Sequence, residues 1–199
     1  MKISTPLLLL LLGTFCLATA CGDRGERPDD NGGGAIGPRL STDEEDGLVV
    51  ERLDADGNGI IDIIRYYERY EDPREAGRMR RRLVRMEIDL NGDEQINVRR
   101  HYDEFGNVNR EENDTDLDGA IDLIIYFVGG EIARKERLRP DSGQVRERRI
   151  YYEGQLVRVE KDLNGDGNVD NWEYYEDGVL MRIGRDTVGD GAADTWQLR

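Results

Sequence analysis

The chain has 199 residues, 37% hydrophobic and 36% charged, with a formal net charge of −15. An acidic balance of that size argues against nucleic acid as a partner and against adsorption to anionic lipid by charge. A single His, with no Ser–His pair, no phosphate-cradling glycine loop and no zinc spacing, leaves no recognisable catalytic set, so a non-enzymatic role is expected.

In chain order, residues 1–20 read as an export signal. Lys2 gives a minimal positive start, and Leu7 to Leu12 form an apolar stretch too short to span a bilayer. Ala18-Thr19-Ala20 before Cys21 resemble a bacterial lipobox, with Ala18 standing where Leu, Val or Ile is usual. That resemblance implies a lipid on Cys21 and a membrane partner reached through it. An ordinary secretory cleavage site would also leave Cys21 first. Gly22 in second place implies, by the enterobacterial sorting rule, an outer-membrane location on its periplasmic or surface face. Cys16 leaves with the signal, so the mature chain forms no internal disulfide. Residues 21–47 carry Gly, Pro and charge with few apolar side chains, which is the composition of a flexible tether. Residues 48–199 are the expected folded domain.

Within that domain a nine-residue pattern recurs five times: DADGNGIID from Asp54, DLNGDEQIN from Asp89, DTDLDGAID from Asp114, DLNGDGNVD from Asp162 and DTVGDGAAD from Asp186. Carboxylates or amides fall at positions 1, 3, 5 and 9, and Gly at position 6 in four copies. Alternate oxygens of a tight loop turn toward one centre, and calcium accepts six to eight such oxygens in loose geometry. The candidate ligands are Asp54, Asp56, Asn58 and Asp62; Asp89, Asn91 and Asp93; Asp114, Asp116, Asp118 and Asp122; Asp162, Asn164, Asp166 and Asp170; and Asp186, Asp190 and Asp194. The first, third and fourth sets are the most complete, with position 7 (Ile60, Ala120, Asn168) lending a backbone carbonyl. The second loop has Glu94 in place of Gly and ends in Asn97, and the fifth has Val188 at position 3, so both are expected to bind more weakly.

Between loops the pattern alternates. The fifth residue after each of the first four loops is aromatic (Tyr67, Tyr102, Phe127, Tyr175), and Tyr151 holds the same place after a degenerate copy, LRPDSGQVR from Leu138. Gly-containing turns follow, such as Glu153-Gly154 and Gly129-Gly130. Return segments then carry Leu83, Val108, Ile132, Leu156 and Leu180, with Arg85, Arg110, Arg134, Arg158 and Arg182 and then Glu87, Glu112, Glu136 and Glu160 at two-residue steps. Period-two patterning with turn residues predicts strands and hairpins, with Arg and Glu pairing across neighbouring strands. The expected fold is all-β: an antiparallel meander of about six 24-residue β-hairpin repeats joined by calcium loops, in eleven or twelve strands. Loops would line one edge and tight turns the other. The first unit carries an insertion around Tyr70 to Arg82.

Residues 162–173, DLNGDGNVDNWE, resemble an EF-hand loop with Glu173 at position 12. Position 12 elsewhere is Arg65, Arg100, Ile125 and Gln197, and the flanks lack helical periodicity. The D-x-[DN]-x-[DN]-G-x-x-D pattern is closer to the cation loops of integrin α-chain propeller blades (FG-GAP type) and related bacterial repeats, in which position 9 supplies the closing carboxylate. The Asp-rich cores are also similar to thrombospondin type-3 repeats, and the whole units resemble repetitive lipoproteins of Gram-negative bacteria. These likenesses imply calcium as the bound ion. The functional expectation is a calcium-stabilised, exported, lipid-anchored protein of the cell envelope with a structural or interaction role. The alternative is a module whose Tyr and Trp rows bind a glycan or another envelope component.

Overall fold

The structure, a computed structural model, describes residues 37–199. The expected export signal, Cys21 and the expected tether up to residue 36 lie outside the described residues. Thirteen strands follow in chain order: β1 (Arg39–Glu45), β2 (Leu48–Asp54), β3 (Ile63–Glu71), β4 (Met79–Ile88), β5 (Val98–Tyr102), β6 (Val108–Asn113), β7 (Leu123–Val128), β8 (Glu131–Leu138), β9 (Val145–Tyr152), β10 (Gln155–Lys161), β11 (Asn171–Glu176), β12 (Val179–Arg185) and β13 (Thr195–Leu198). They form one sheet in simple sequential order, each strand antiparallel to its chain neighbours. The all-β hairpin meander is present.

The strand beyond the expected count is β1. Residues 39–45, read from composition as tether, pair with β2 from Arg39 opposite Asp54 to Glu45 opposite Leu48. All seven are exposed, and an edge strand of this kind gains its order from main-chain pairing rather than from apolar burial. The insertion around Tyr70 to Arg82 lengthens β3 and β4 into the longest hairpin of the sheet.

Four hairpins close on two-residue turns in which both residues have positive φ: Asp46-Gly47, Gly129-Gly130, Glu153-Gly154 and Asp177-Gly178. This is type I′ geometry, whose twist matches that of the flanking strands. A register shift inside the later hairpins then sets the partners of each aromatic pair. Tyr67 lies opposite Leu83 while Tyr66 lies opposite Arg85, and Phe127 lies opposite Ile132 while Tyr126 lies opposite Arg134.

Among the described residues, strands contact only their sequence neighbours, so nothing covers either face of the sheet. Buried apolar side chains are few: Val49, Val50, Tyr66, Val159 and Ile183. Cross-strand rows take the place of a core. In one row the guanidinium groups of Arg85, Arg134 and Arg182 lie 3.8, 4.0 and 4.3 Å from the ring centres of Tyr66, Tyr126 and Tyr174. In the next row Glu87, Glu112, Glu136 and Glu160 are buried. Arg99 bridges Glu87 and Glu112 at 2.8 and 3.0 Å, and Arg148 bridges Glu136 and Glu160 at 2.9 Å each. Within this Glu row the cross-strand ion pairs thus use Arg99 and Arg148 of the outgoing strands rather than the return-strand arginines Arg85, Arg110, Arg134, Arg158 and Arg182 expected from sequence. Of the latter, Arg85, Arg134 and Arg182 stack on the tyrosines opposite, while Arg85, Arg110, Arg134 and Arg158 reach the Glu two places along their own strand at 3.4, 3.0, 3.2 and 2.9 Å. Alternate residues of a strand share a face, which puts that Glu within reach of the long Arg stem.

Candidate metal centres

The five Asp-rich loops join β2–β3, β4–β5, β6–β7, β10–β11 and β12–β13, and the degenerate copy joins β8–β9. A meander puts all six connections on one edge, with the hairpins on the other. Backbone bonds chain the loop bases together. The N–H of Asp89 donates to the carbonyl of Asp62 (2.9 Å), Asp114 to Asn97 (2.8 Å), Leu138 to Asp122 (2.8 Å), Asp162 to Arg146 (3.0 Å) and Asp186 to Asp170 (2.9 Å). The first residue of each connection is thereby fixed to the last residue of the one before.

The first acid of each loop sits at a strand end and turns inward. Asp54, Asp89, Asp114 and Asp162 are all buried, while Asp186, next to the short last strand, is half-buried. Each accepts N–H groups from its own loop: Asp54 from Gly57 and Gly59, Asp89 from Gly92 and Glu94, Asp114 from Asp118 and Gly119, Asp162 from Gly165 and Gly167, and Asp186 from Gly189 and Gly191. The residue at position 9 accepts the N–H of position 2, from Ala55 to Asp62 through Thr187 to Asp194. Positions 3 and 5 accept N–H groups two residues on, as in Asn58 to Asp56 and Ala120 to Asp118. A carboxylate has about four lone-pair sites, so these bonds orient the oxygens while leaving acceptor capacity free.

Each loop reverses twice in the left-handed region, at position 4 as well as at position 6. Position 4 is Gly57, Gly92, Leu117, Gly165 and Gly189, with φ of +79°, +74°, +62°, +84° and +79°. The sequence pattern carries Gly at position 6 in four of the five copies. The signal for the second reversal was Gly at position 4 in four of the five copies. The exceptions, Leu117 at position 4 and Glu94 at position 6, hold positive φ without glycine.

Two loops bring three carboxylates together. Asp54, Asp56 and Asp62, and likewise Asp114, Asp116 and Asp122, each place ligand oxygens within 4.8 Å of one another, which suits a metal ion. Asn58 and Asp118 lie in the same loops, and Asn58 accepts from the Ile60 N–H as Asp118 does from Ala120. Lost hydration and the charges of Asp118, Asp122 and Asp114 push the Asp116 carboxyl above its ordinary value. Burial acts in the same direction on Asp114, Asp162 and Asp186, but the loop N–H groups outweigh it and hold those three low.

The other expected ligands are arranged differently. In the second loop the Asn91 amide donates to Asp93 (3.0 Å), and buried Asn97 takes the position-9 bond in place of an acid. In the fourth loop the Asn164 amide bridges Asp166 and Asp170 at 3.2 Å each, and Arg139 lies beside Asp162. In the fifth, Asp186, Asp190 and Asp194 keep the loop bonds without forming a triad of the first kind. Glu173, the EF-hand position 12, stands in β11 and is bonded to Lys161 (2.6 Å) and to the Tyr175 hydroxyl (2.8 Å). His101 lies in β5 with Nε2 3.4 Å from Glu112.

Charge is segregated between sheet and edge. The five loops hold sixteen acids and no basic residue, which alone accounts for the net charge. Among the described residues, the ion pairs all engage strand or hairpin carboxylates, with one exception, Arg139–Asp162.

No protein-family model matches the chain, and no curated protein matches it. Among solved structures it is similar to accessory secretory proteins 1, 2 and 3 of Streptococcus pneumoniae (18% identity, 61% of this chain, 19% of that chain, TM-score 0.31). It is also similar to a TarM mutant from S. aureus (10% identity, 71% of this chain, 21% of that chain, TM-score 0.33). A third is a glycosylation-associated protein complex from Streptococcus agalactiae (17% identity, 63% of this chain, 19% of that chain, TM-score 0.23). The chain spans about a fifth of the length of each. At these TM-scores the likenesses carry no functional argument.

Proposed function

We propose that the chain is a calcium-stabilised β-repeat protein of the bacterial cell envelope, exported and lipid-anchored through Cys21, with a structural or interaction role rather than a catalytic one. The observation that carries this reading is the charge segregation among the described residues: buried sheet acids are paired with arginine, whereas the loop acids, Asp162 apart, have no described cationic side chain within ion-pair distance. Sixteen like charges along one edge repel, and a divalent cation is the simplest means of neutralising them. Calcium fits the donor set best, since the oxygens at positions 1, 3, 5 and 9 with the carbonyl of Ile60 or Ala120 match its loose all-oxygen coordination. The Tyr66, Tyr126 and Tyr174 rings, one part of the Tyr and Trp rows that a glycan platform would use, are covered by arginine, so the loops rather than the aromatic rows carry the proposal.

An ion bound only by the folded loops stabilises the fold by mass action, about 1.4 kcal/mol per loop at a concentration tenfold above its Kd. Thermal unfolding by circular dichroism should therefore shift upward between chelator and millimolar calcium. The shift should shrink in the double variant Asp54→Asn/Asp114→Asn. Identical unfolding curves in chelator and in calcium would refute the proposal.

A further inference from the structure

The degenerate connection between β8 and β9 has lost its acidic ligands, yet it contributes a cation to its neighbour. Its turn is closed by the Arg139 N–H on the Gln144 carbonyl (2.8 Å) and the Gly143 N–H on the Arg139 carbonyl (2.9 Å). From that fixed base the Arg139 side chain reaches into the fourth loop. Nη2 donates to the carbonyl of Asp162 at 2.5 Å and lies 3.3 Å from its Oδ1. The guanidinium also packs over Gly165, where an added Cβ would come within 3.5 Å of its central carbon. The Arg139 side chain is only 20% exposed and that of Asp162 only 4%, so solvent screens this pair poorly.

Among the described residues no other loop carboxylate has such a partner. The fourth loop also differs from the first and third in not bringing three carboxylate oxygens within 4.8 Å of one another, although its sequence is as complete as theirs. Its Asn164 amide bridges Asp166 and Asp170, so donors of the protein itself already serve its acids.

We propose that Arg139 is a built-in counter-cation of the fourth loop, competing with a bound divalent ion for Asp162. Resting on the calcium reading above, this makes the fourth loop the last of the three complete loops to fill and lets it hold its shape without metal. Position 1 is the ligand that both cations need. A divalent ion drawn to Asp162 meets the guanidinium charge at close range and must displace it or coordinate beside it. The array then responds to calcium in steps, with the first and third loops filling before the fourth.

Terbium, a luminescent stand-in for calcium, tests this through Trp172, which lies two residues beyond Asp170. Through its partner Gly184, Trp172 also neighbours the fifth loop, so in a Trp196→Phe/Asp186→Asn background, where Trp172 is the sole indole and the fifth loop has lost its first acid, indole-sensitised emission reports the fourth loop. Arg139→Gln should lower the terbium midpoint roughly three- to tenfold, the range expected for removing one partly buried ion pair. Arg139→Lys, which keeps the charge, should stay close to the parent. Calorimetric calcium binding at the other loops should be unchanged in both variants. A midpoint unmoved by Arg139→Gln, or moved equally by Arg139→Lys, while terbium still binds, overturns the role of Arg139 and leaves the calcium reading standing. Absence of terbium emission together with absence of calcium heat in the parent overturns the calcium reading itself.

Discussion

Asn97 and Asp114, the last residue of the second loop and the first of the third, are bonded twice. The Asp114 N–H donates to the Asn97 carbonyl at 2.8 Å, and the Asn97 amide donates to Asp114 Oδ2 at 3.4 Å. The amide oxygen of Asn97 meanwhile accepts the Leu90 N–H at 2.7 Å, and the residue is fully buried. An amide can accept within one loop and donate to the next, which an ionised carboxylate cannot. Asn97→Asp, which restores the acid found at position 9 of the other four loops, should therefore destabilise the metal-free protein by about 1–3 kcal/mol, through a lost bond and a carboxylate set beside Asp114. The denaturant midpoint in chelator checks this, and a midpoint equal to or above that of the parent would contradict it.

Leu117 and Glu94 hold φ of +62° and +68° where the matching positions of the other loops carry glycine. A side chain in that region costs about 1–2 kcal/mol, partly offset by the greater chain entropy glycine loses on folding. Leu117→Gly and Glu94→Gly should each stabilise the protein by roughly 0.5–1 kcal/mol, and Gly59→Ala should destabilise it by about 1 kcal/mol or more. Equilibrium unfolding in chelator separates these backbone effects from any change in metal binding.

Arg148 bridges two buried carboxylates, Glu136 and Glu160, which face it from the strands on either side. Removing one partner of a buried pair strands the other charge. Arg148→Ala should cost at least about 2 kcal/mol, more than Arg149→Ala, whose pair with Glu147 is more exposed. Equal losses for the two variants would mean that the Glu row is not a stabilising element.

Glu87 sets the expected pH dependence. Burial alone would raise its carboxyl, but hydrogen bonds from Arg99 and Tyr66 and the charges of Arg85 and Arg99 outweigh burial and hold it below the ordinary 4.5. A group with a depressed folded value contributes stability above its unfolded value and loses it as pH falls through the folded one. Stability should thus decline as the solution is acidified below about pH 4.5, and Glu87→Gln should flatten that decline while lowering stability near neutrality. Parallel acid limbs in the parent and the variant would rule out Glu87 as a contributor.

Strands and loops were legible in the sequence for a local reason. Alternation, turn glycines and the one-three-five-nine spacing are each written within a single unit, and they led to the meander and to the triads Asp54/Asp56/Asp62 and Asp114/Asp116/Asp122. What was illegible depends on neighbours. RLSTDEE has no apolar alternation, and β1 exists because β2 offers it a free edge to pair with. Arg139 stands 23 residues before Asp162, inside a copy that had lost its ligands, and only the stacking of connections along one edge brings the two together. The return-strand arginines carry a charge that suggested ion pairs across strands, whereas the facing rings attract the planar guanidinium as well.

Calorimetric titration of calcium into the chelator-stripped protein tests the central claim most directly. Saturable binding of at least two ions, with Kd on the order of 10⁻⁴ to 10⁻³ M and loss of about one site in each of Asp54→Asn and Asp114→Asn, is the predicted result. Heat no greater than that of dilution, with the variants indistinguishable from the parent, would mean that the Asp-rich loops are turns held by their own N–H groups and that no ion is needed.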